Sequence, residues 1–528
     1  MEAVIESFIT LCRILALPIV PKVRQSGFNN SAHRVTFLLF MHVLSGIFVI
    51  IGICAAGQAS SYEANIKGWM VVMVFVTIGL ISLVILLIAG CTNRLTTHAR
   101  RKTKMSEPSL KLRIGFLWVF GLAVMAHVSL NFATYIDCVQ SYSSLKGVHV
   151  TFSMMSNIIL SLFLIIQIGF ISYYQHASFT RSHVVNFASI FILAANFIIW
   201  YNSALSNIYV FGMVGNNTVP RYSNESYCFR TSKIQHNLTR KITPYLFPFR
   251  MEFCILASSF IITFWRWPMD YARDEGSSTD YRVLRRDEGG NTDYQVLHGD
   301  VEDGNMPSFE KRNHIHGPHI FAIVCGIVLN MPTFFSKLLL SFVPDEKNRF
   351  VVYIGESLST VCSIAIVYIC SYRLNKNFSN SWRHSRLTTN EYILILTSSG
   401  MVSYFVIGVL TAFSYPKRMK MYACCRFLGL LEIFLQTYFL IKVRRYHLND
   451  NHCILISSCG IILMLTNLIY WLLHSYSQNV FVESLEMIFI GREKWLYIES
   501  ILVPLLTFYR FFSGMSAYSL YYKFKPDR

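Results

Sequence analysis

FASIFILAANFIIW, residues 187–200, holds one amide, Asn196, and no charge. Extended through its neighbours it reaches the roughly 20 apolar residues that a helix needs to cross the hydrocarbon layer. Runs of this kind recur at 35–56, 68–91, 113–136, 150–174, 184–206, 244–267, 319–342, 350–372, 391–413, 421–443, 453–476 and 495–522. They predict an all-α polytopic membrane protein of twelve transmembrane helices. Charged residues are 14% of the 528, against roughly a quarter in soluble domains, which excludes a soluble enzyme. The net charge of +18 does not point to nucleic acid, because the basic residues sit in short loops beside apolar runs.

Those loops orient the chain. Arg94, Arg100, Arg101, Lys102, Lys104, Lys111 and Arg113 lie between the second and third spans, whereas the first connection holds only Lys67. The basic loop and the amino terminus are therefore expected in the cytoplasm, and twelve spans return the carboxyl terminus there. Residues 1–21 lack a basic leader and carry Glu2 and Glu6, so the first span is expected to be an uncleaved anchor. The 207–243 connection then lies outside, where the sequons at Asn216, Asn224 and Asn237 are expected to be glycosylated. Arg221, Arg230, Lys233, Arg240 and Lys241 in that loop argue the other way. Cys138 and Cys228 share the oxidising side and either pair or remain two thiols. The thirteen cysteines form no CxxC pair, so no metal site is expected.

The expected organisation is a cytoplasmic amino terminus (1–34), a six-helix half (35–267), a charged linker (268–317), a second six-helix half (318–522) and a tail (523–528). The linker carries eleven acidic and six basic residues and repeats itself, DEGSSTDYRVLRR at 274 and DEGGNTDYQVLHG at 287. That composition reads as disordered.

The two halves share polar residues inside their apolar runs. Gln167 in LIIQIGF, Asn196 and Trp200 in AANFIIW, and Pro244 and Arg250 in TPYLFPFR are matched in order. Their counterparts are Gln436 in IFLQTYF, Asn467 and Trp471 in LTNLIYW, and Pro504 and Arg510 in VPLLTFYR. The Gln-to-Asn separations are 29 and 31, and the Asn-x3-Trp and Pro-x5-Arg spacings are identical. Six spans per half give both halves the same orientation, so they form a parallel repeat about an axis along the membrane normal.

Lipid offers amides no partner, so these residues should face the interior. They serve either as interhelical glue or, given their matching heights, in ordering a short chain of water. Glu252, Glu356, Glu432 and Glu499 also fall within spans, with Arg250, Arg426, Arg510, His42 and His127. Each carboxylate is either a titratable proton carrier or the fixed partner of an interior arginine. The chain has no Walker A loop, GxGxxG, HExxH or TVGYG-like filter, and no paired broken helices of the kind many solute carriers show. From the residues alone the choice stays open between a proton pathway, a proton-coupled transporter and a non-conducting scaffold.

Several segments resemble the otopetrin family: NFASIFILAANFIIW at 186, PYLFPFRMEFCIL at 244, GLLEIFLQTYFLIKVRR at 429 and IESILVPLLTFYRFFSGMSAYSLY from 498. The resemblance implies a proton-selective channel of the plasma membrane, activated by extracellular acid. It further implies a homodimer with lipid, such as sterol, between its halves, and no cofactor beyond the permeant proton. It carries the family's Gln-Asn-Tyr cluster onto Gln167, Asn196 and Tyr245 in the first half and onto Gln436, Asn467 and Tyr509 in the second. The sixth-helix glutamate falls on Glu252, and Glu432 joins it as a titratable station. Arg250, Glu356, Arg426, Glu499 and Arg510 are expected as interior charge partners. Asn207 stands where vertebrate members carry a carboxylate, and Phe512 where a histidine is expected, which reads as a divergent, invertebrate member.

Overall fold

An apolar run inside a bilayer must satisfy its own backbone, and a continuous helix does so within one segment. The computed structural model describes residues 62–91, 96–97, 109–141, 147–175, 178–179, 183–214, 233–264, 317–342, 346–377, 389–414, 420–444, 454–477 and 485–524. The first half contributes α1 (Tyr62–Cys91), α2 (Ser109–Ser141), α3 (Gly147–Tyr174), α4 (His183–Val214) and α5 (Lys233–Phe264). The second contributes α6 (Gly317–Phe342), α7 (Glu346–Asn377), α8 (Thr389–Ser414), α9 (Lys420–Arg444), α10 (Ile454–Ser477), the short α11 (Leu485–Ile490) and α12 (Arg492–Phe524). Eleven of these helices are long and apolar enough to cross a membrane. They correspond in order to the second through twelfth expected runs. The first run, His42, the linker, Asn216, Asn224, Cys228 and the side chains of Cys138 and Asn207 lie outside the described residues. Asn237 is in the second turn of α5 rather than in a loop.

The two halves pack alike. In the first, α1 lies on α3 and α4, α2 on α3 and α5, and α4 on α5; in the second, α7 lies on α9 and α10, α8 on α9 and α12, and α10 on α12. Each pairing matches its counterpart in the repeat. The halves join where α12 lies against α2, α4 and α5, with α8 and α10 also touching α5. Of the described spans α4 is the most enclosed, whereas α6 turns Phe321, Val328 and Phe335 outward. An apolar face of that extent suits lipid, not water.

Two features depart from plain helices. Thr96–Thr97 (β1) pairs antiparallel with Ser178–Phe179 (β2), tying the α1–α2 connection to the α3–α4 connection. Both are thereby at one end of the bundle, as the spans require. Gly491, at φ +96°, turns α11 into α12, a backbone region that glycine enters without the steric cost of a Cβ.

Candidate functional site

The centre of the second half is built from α9, α10 and α12. Arg510 donates from Nη1 to Glu432 Oε1 at 3.0 Å and from Nη2 to Glu432 Oε2 at 2.8 Å. This two-pronged geometry matches a planar guanidinium to a carboxylate. Nη1 also reaches Asn467 Oδ1 at 3.3 Å, and the guanidinium lies 4.8 Å over the Tyr470 ring. Asn467 turns its Nδ2 back to Leu463 O at 2.8 Å, and the Tyr509 and Thr437 hydroxyls are 2.8 Å apart. Gln436 is fully buried with neither amide atom hydrogen-bonded.

The matching positions of the first half hold different chemistry. Asn196 again bonds its own helix, Nδ2 to Ile192 O at 3.2 Å, but its Oδ1 has no partner. Both amide atoms of Gln167, Nε and Nη2 of Arg250, and Oε2 of Glu252 are likewise buried without partners. By the Gln register, Phe163 occupies the place of Glu432; by the Pro-x5-Arg register, Phe249 occupies the place of Tyr509. Tyr245, expected in the cluster, is 55% exposed. Tyr245 is five residues before Arg250 whereas Tyr509 immediately precedes Arg510, so the two tyrosines leave their helices at different heights and angles.

Between the halves lies an aromatic layer. Phe116 and Phe120 of α2 meet Phe511 of α12 at 5.0 and 5.5 Å and Trp471 of α10 at 5.9 and 5.7 Å, and Phe249 lies 5.8 Å from Phe120. The Trp471 indole approaches the Glu252 carboxylate without closing a hydrogen bond of normal geometry. Phe512, the matching position to Glu252, is buried and packs 5.3 Å from the Arg113 guanidinium, which donates to Ser259 at 2.9 Å.

A second charge cluster occupies the end of the second half where α9 begins. Arg426 is enclosed by Tyr404, Phe405 and Tyr422 at 5.0, 5.5 and 4.8 Å, and pairs with Glu486 of α11 at 3.4 Å. The Tyr422 hydroxyl also donates to Glu486. Lys337 pairs with Glu356 at 2.6 Å, and Cys425 donates to the same carboxylate at 3.4 Å. Glu499 lies near Glu486 and Arg426 but closes no ion pair among the described residues.

Of the expected charge partners, then, Arg510, Glu356 and Arg426 are paired, and Arg250 and Glu499 form no ion pair among the described residues. Glu486 and Lys337 were absent from the expected set. Lys337 sits inside the seventh run, where any charge is a signal; Glu486 falls between runs and carried none. Because Glu486 is the buried carboxylate fastening α11, Glu486→Gln should speed amide hydrogen exchange across 485–491 by about tenfold or more, the worth of a charged hydrogen bond. Exchange across 505–515 should not change, and an unchanged 485–491 segment would show that α11 is held by packing alone.

The family model described as Otopetrin matches residues 206–511, more than half of the chain. It takes in α5 and the whole centre of the second half, while Gln167 and Asn196 precede it. No curated protein matches the chain.

Proposed function

The chain belongs to the otopetrin family, and from that premise we propose that it is a proton-selective channel of the plasma membrane, opened by extracellular acid. The family is one of channels rather than enzymes, and membership supports proton-channel activity in general. The observation that supports the reading is the set of buried polar atoms with unmet hydrogen bonds, among them those of Gln167, Asn196, Arg250 and Glu252 in the first half and Gln436, Arg510 Nε and Ser513 in the second. Such atoms are stable deep in a protein where water can reach them. A file of water between helices passes protons by hopping while excluding ions that must carry their hydration shells.

In this mechanism the amides orient the water and Glu252 takes up and releases the proton. Asn467, Tyr509 and Glu432, held in the network around Arg510, set the shape of the second half. The working unit is a homodimer with lipid or sterol between halves, both termini in the cytoplasm, and glycans on Asn216 and Asn224.

The test is whole-cell current as external pH steps from about 7.4 to about 5, with sodium and chloride replaced by impermeant ions. The reversal potential is expected to move about 59 mV per pH unit, since one unit is 1.36 kcal/mol and 100 mV acts on one charge with about 2.3 kcal/mol. Glu252→Gln should cut the current about tenfold or more at equal surface abundance. A wild-type current that stays at zero, or that flows only with saturable uptake of a solute, would reject the channel reading.

A further inference from the structure

The contact of α7 with α10 is held at its two ends by different chemistry. At one end the Tyr470 hydroxyl donates to the Glu356 carbonyl at 3.5 Å. At the other, the Cys459 thiol of α10 lies in hydrogen-bond contact with the Cys370 thiol of α7. The two contacts share one antiparallel register: Glu356 to Cys370 is fourteen residues along α7, and Tyr470 back to Cys459 is eleven along α10. Depth agrees as well. The apolar span of α7 closes at Asn375 and that of α10 opens at Ile454. Each cysteine is therefore five residues, about 7.5 Å at 1.5 Å per residue, inside the same end of the bundle.

A cysteine that fills a helix contact as a small apolar group needs no second cysteine opposite it. Here two thiols, not joined by a disulfide, face each other from helices 89 positions apart in sequence. They stand at the end expected in the cytoplasm, where thiols rest reduced. Cys425, also buried in this half, donates to the Glu356 carboxylate instead.

We propose that Cys370 and Cys459 are a redox site which hydrogen peroxide closes to a disulfide, cross-linking α7 to α10. Cys459, 7% exposed against 0% for Cys370, meets the oxidant first. Its sulfur loses its proton and attacks one peroxide oxygen; the O–O bond breaks, and the leaving hydroxide takes up that proton as water. The sulfenic acid left on Cys459 is then attacked by the Cys370 sulfur. The S–S bond forms, the S–O bond breaks, and the departing hydroxide leaves as a second water with the Cys370 proton. Two thiols are oxidised and one peroxide is reduced. Because the sulfurs are already in contact, closure re-registers neither helix, and it fixes α10, with Asn467 and Trp471, to α7.

The test treats the purified full-length chain in lipid nanodiscs with hydrogen peroxide and then blocks remaining thiols with N-ethylmaleimide. Chymotryptic cleavage after Leu455 separates Cys459 from Cys453. Mass spectrometry of the unreduced digest is expected to show Cys370 joined to Cys459 in most molecules, with the bond lost on adding dithiothreitol. Closing a loop of this length should also raise the unfolding midpoint by about 2 °C or more, reversibly. Peroxide that leaves both thiols free, or that joins either one to another cysteine such as Cys453 or Cys425, overturns the proposal.

Cys370→Ser removes the resolving sulfur, so Cys459 is expected to accumulate as the sulfenic acid and to be captured by dimedone. A Cys459 that remains a plain thiol in that protein overturns the order of attack. The wild-type digest decides the cross-link without any variant. Both measurements read sulfur chemistry, so they stand whether or not the chain carries a proton current.

Discussion

Replacing Glu432 with alanine should cost the protein about 3–5 kcal/mol, the loss expected when one partner of a buried ion pair is removed and the other remains. Arg510 is 2% exposed, and among the described residues no second carboxylate stands within ion-pair distance of it. Its remaining contacts, Asn467 Oδ1 at 3.3 Å and the Tyr470 ring at 4.8 Å, are too weak to solvate a full charge. The effect should appear as a lower unfolding midpoint in detergent and reduced abundance at the cell surface. A companion variant, Glu432→Leu with Arg510→Met, removes both charges and should recover most of the loss, since replacing a buried pair by apolar groups is often neutral or better. The cycle isolates the pair from the packing around it. A single alanine variant as stable as wild type would mean that water, not Glu432, supports Arg510.

The same substitution at the two arginines should have opposite signs. Arg510→Met orphans Glu432 and destabilises, whereas Arg250→Met removes a charge that has no ion-pair partner among the described residues. Arg250→Met is expected to raise stability by about 1 kcal/mol or more, because an unpaired buried charge opposes folding. Current is expected to fall with it, in the familiar exchange of activity for stability at sites that hold unsatisfied groups. Stability and current are read on one preparation, and a destabilised Arg250→Met would indicate a structural counter-ion for Arg250.

Much of this was legible from residues alone, because a bilayer makes both apolar length and interior polarity costly. The eleven described spans, the repeat, and the burial of Gln167, Asn196, Gln436 and Asn467 follow from that cost. Pairing does not. That Glu432 meets Arg510 depends on the relative heights of α9 and α12, which no spacing within either helix reveals. For the first-half tyrosine two counts diverge, since the motif tyrosine is Phe247 here and Tyr245 stands two residues before it, whereas the Pro-x5-Arg count from Tyr509 leads to Phe249. Glu486 lies outside every apolar run, and only the turn at Gly491 brings it down onto Arg426.

The junction between the halves depends on α12, the latest of the described helices to be made. At roughly 5–20 residues per second, the 260 residues from Phe264 to Phe524 take about 13–50 s to synthesise. For that interval Phe116 and Phe120 must wait in the membrane of a half-built molecule without Phe511 against them. A ribosome that stopped before residue 492 would release a chain in which Glu432 lacks Arg510 and Phe116 and Phe120 lack Phe511. Such a fragment is a natural target for membrane quality control, so premature stop codons late in the gene should behave as complete losses rather than as partial ones.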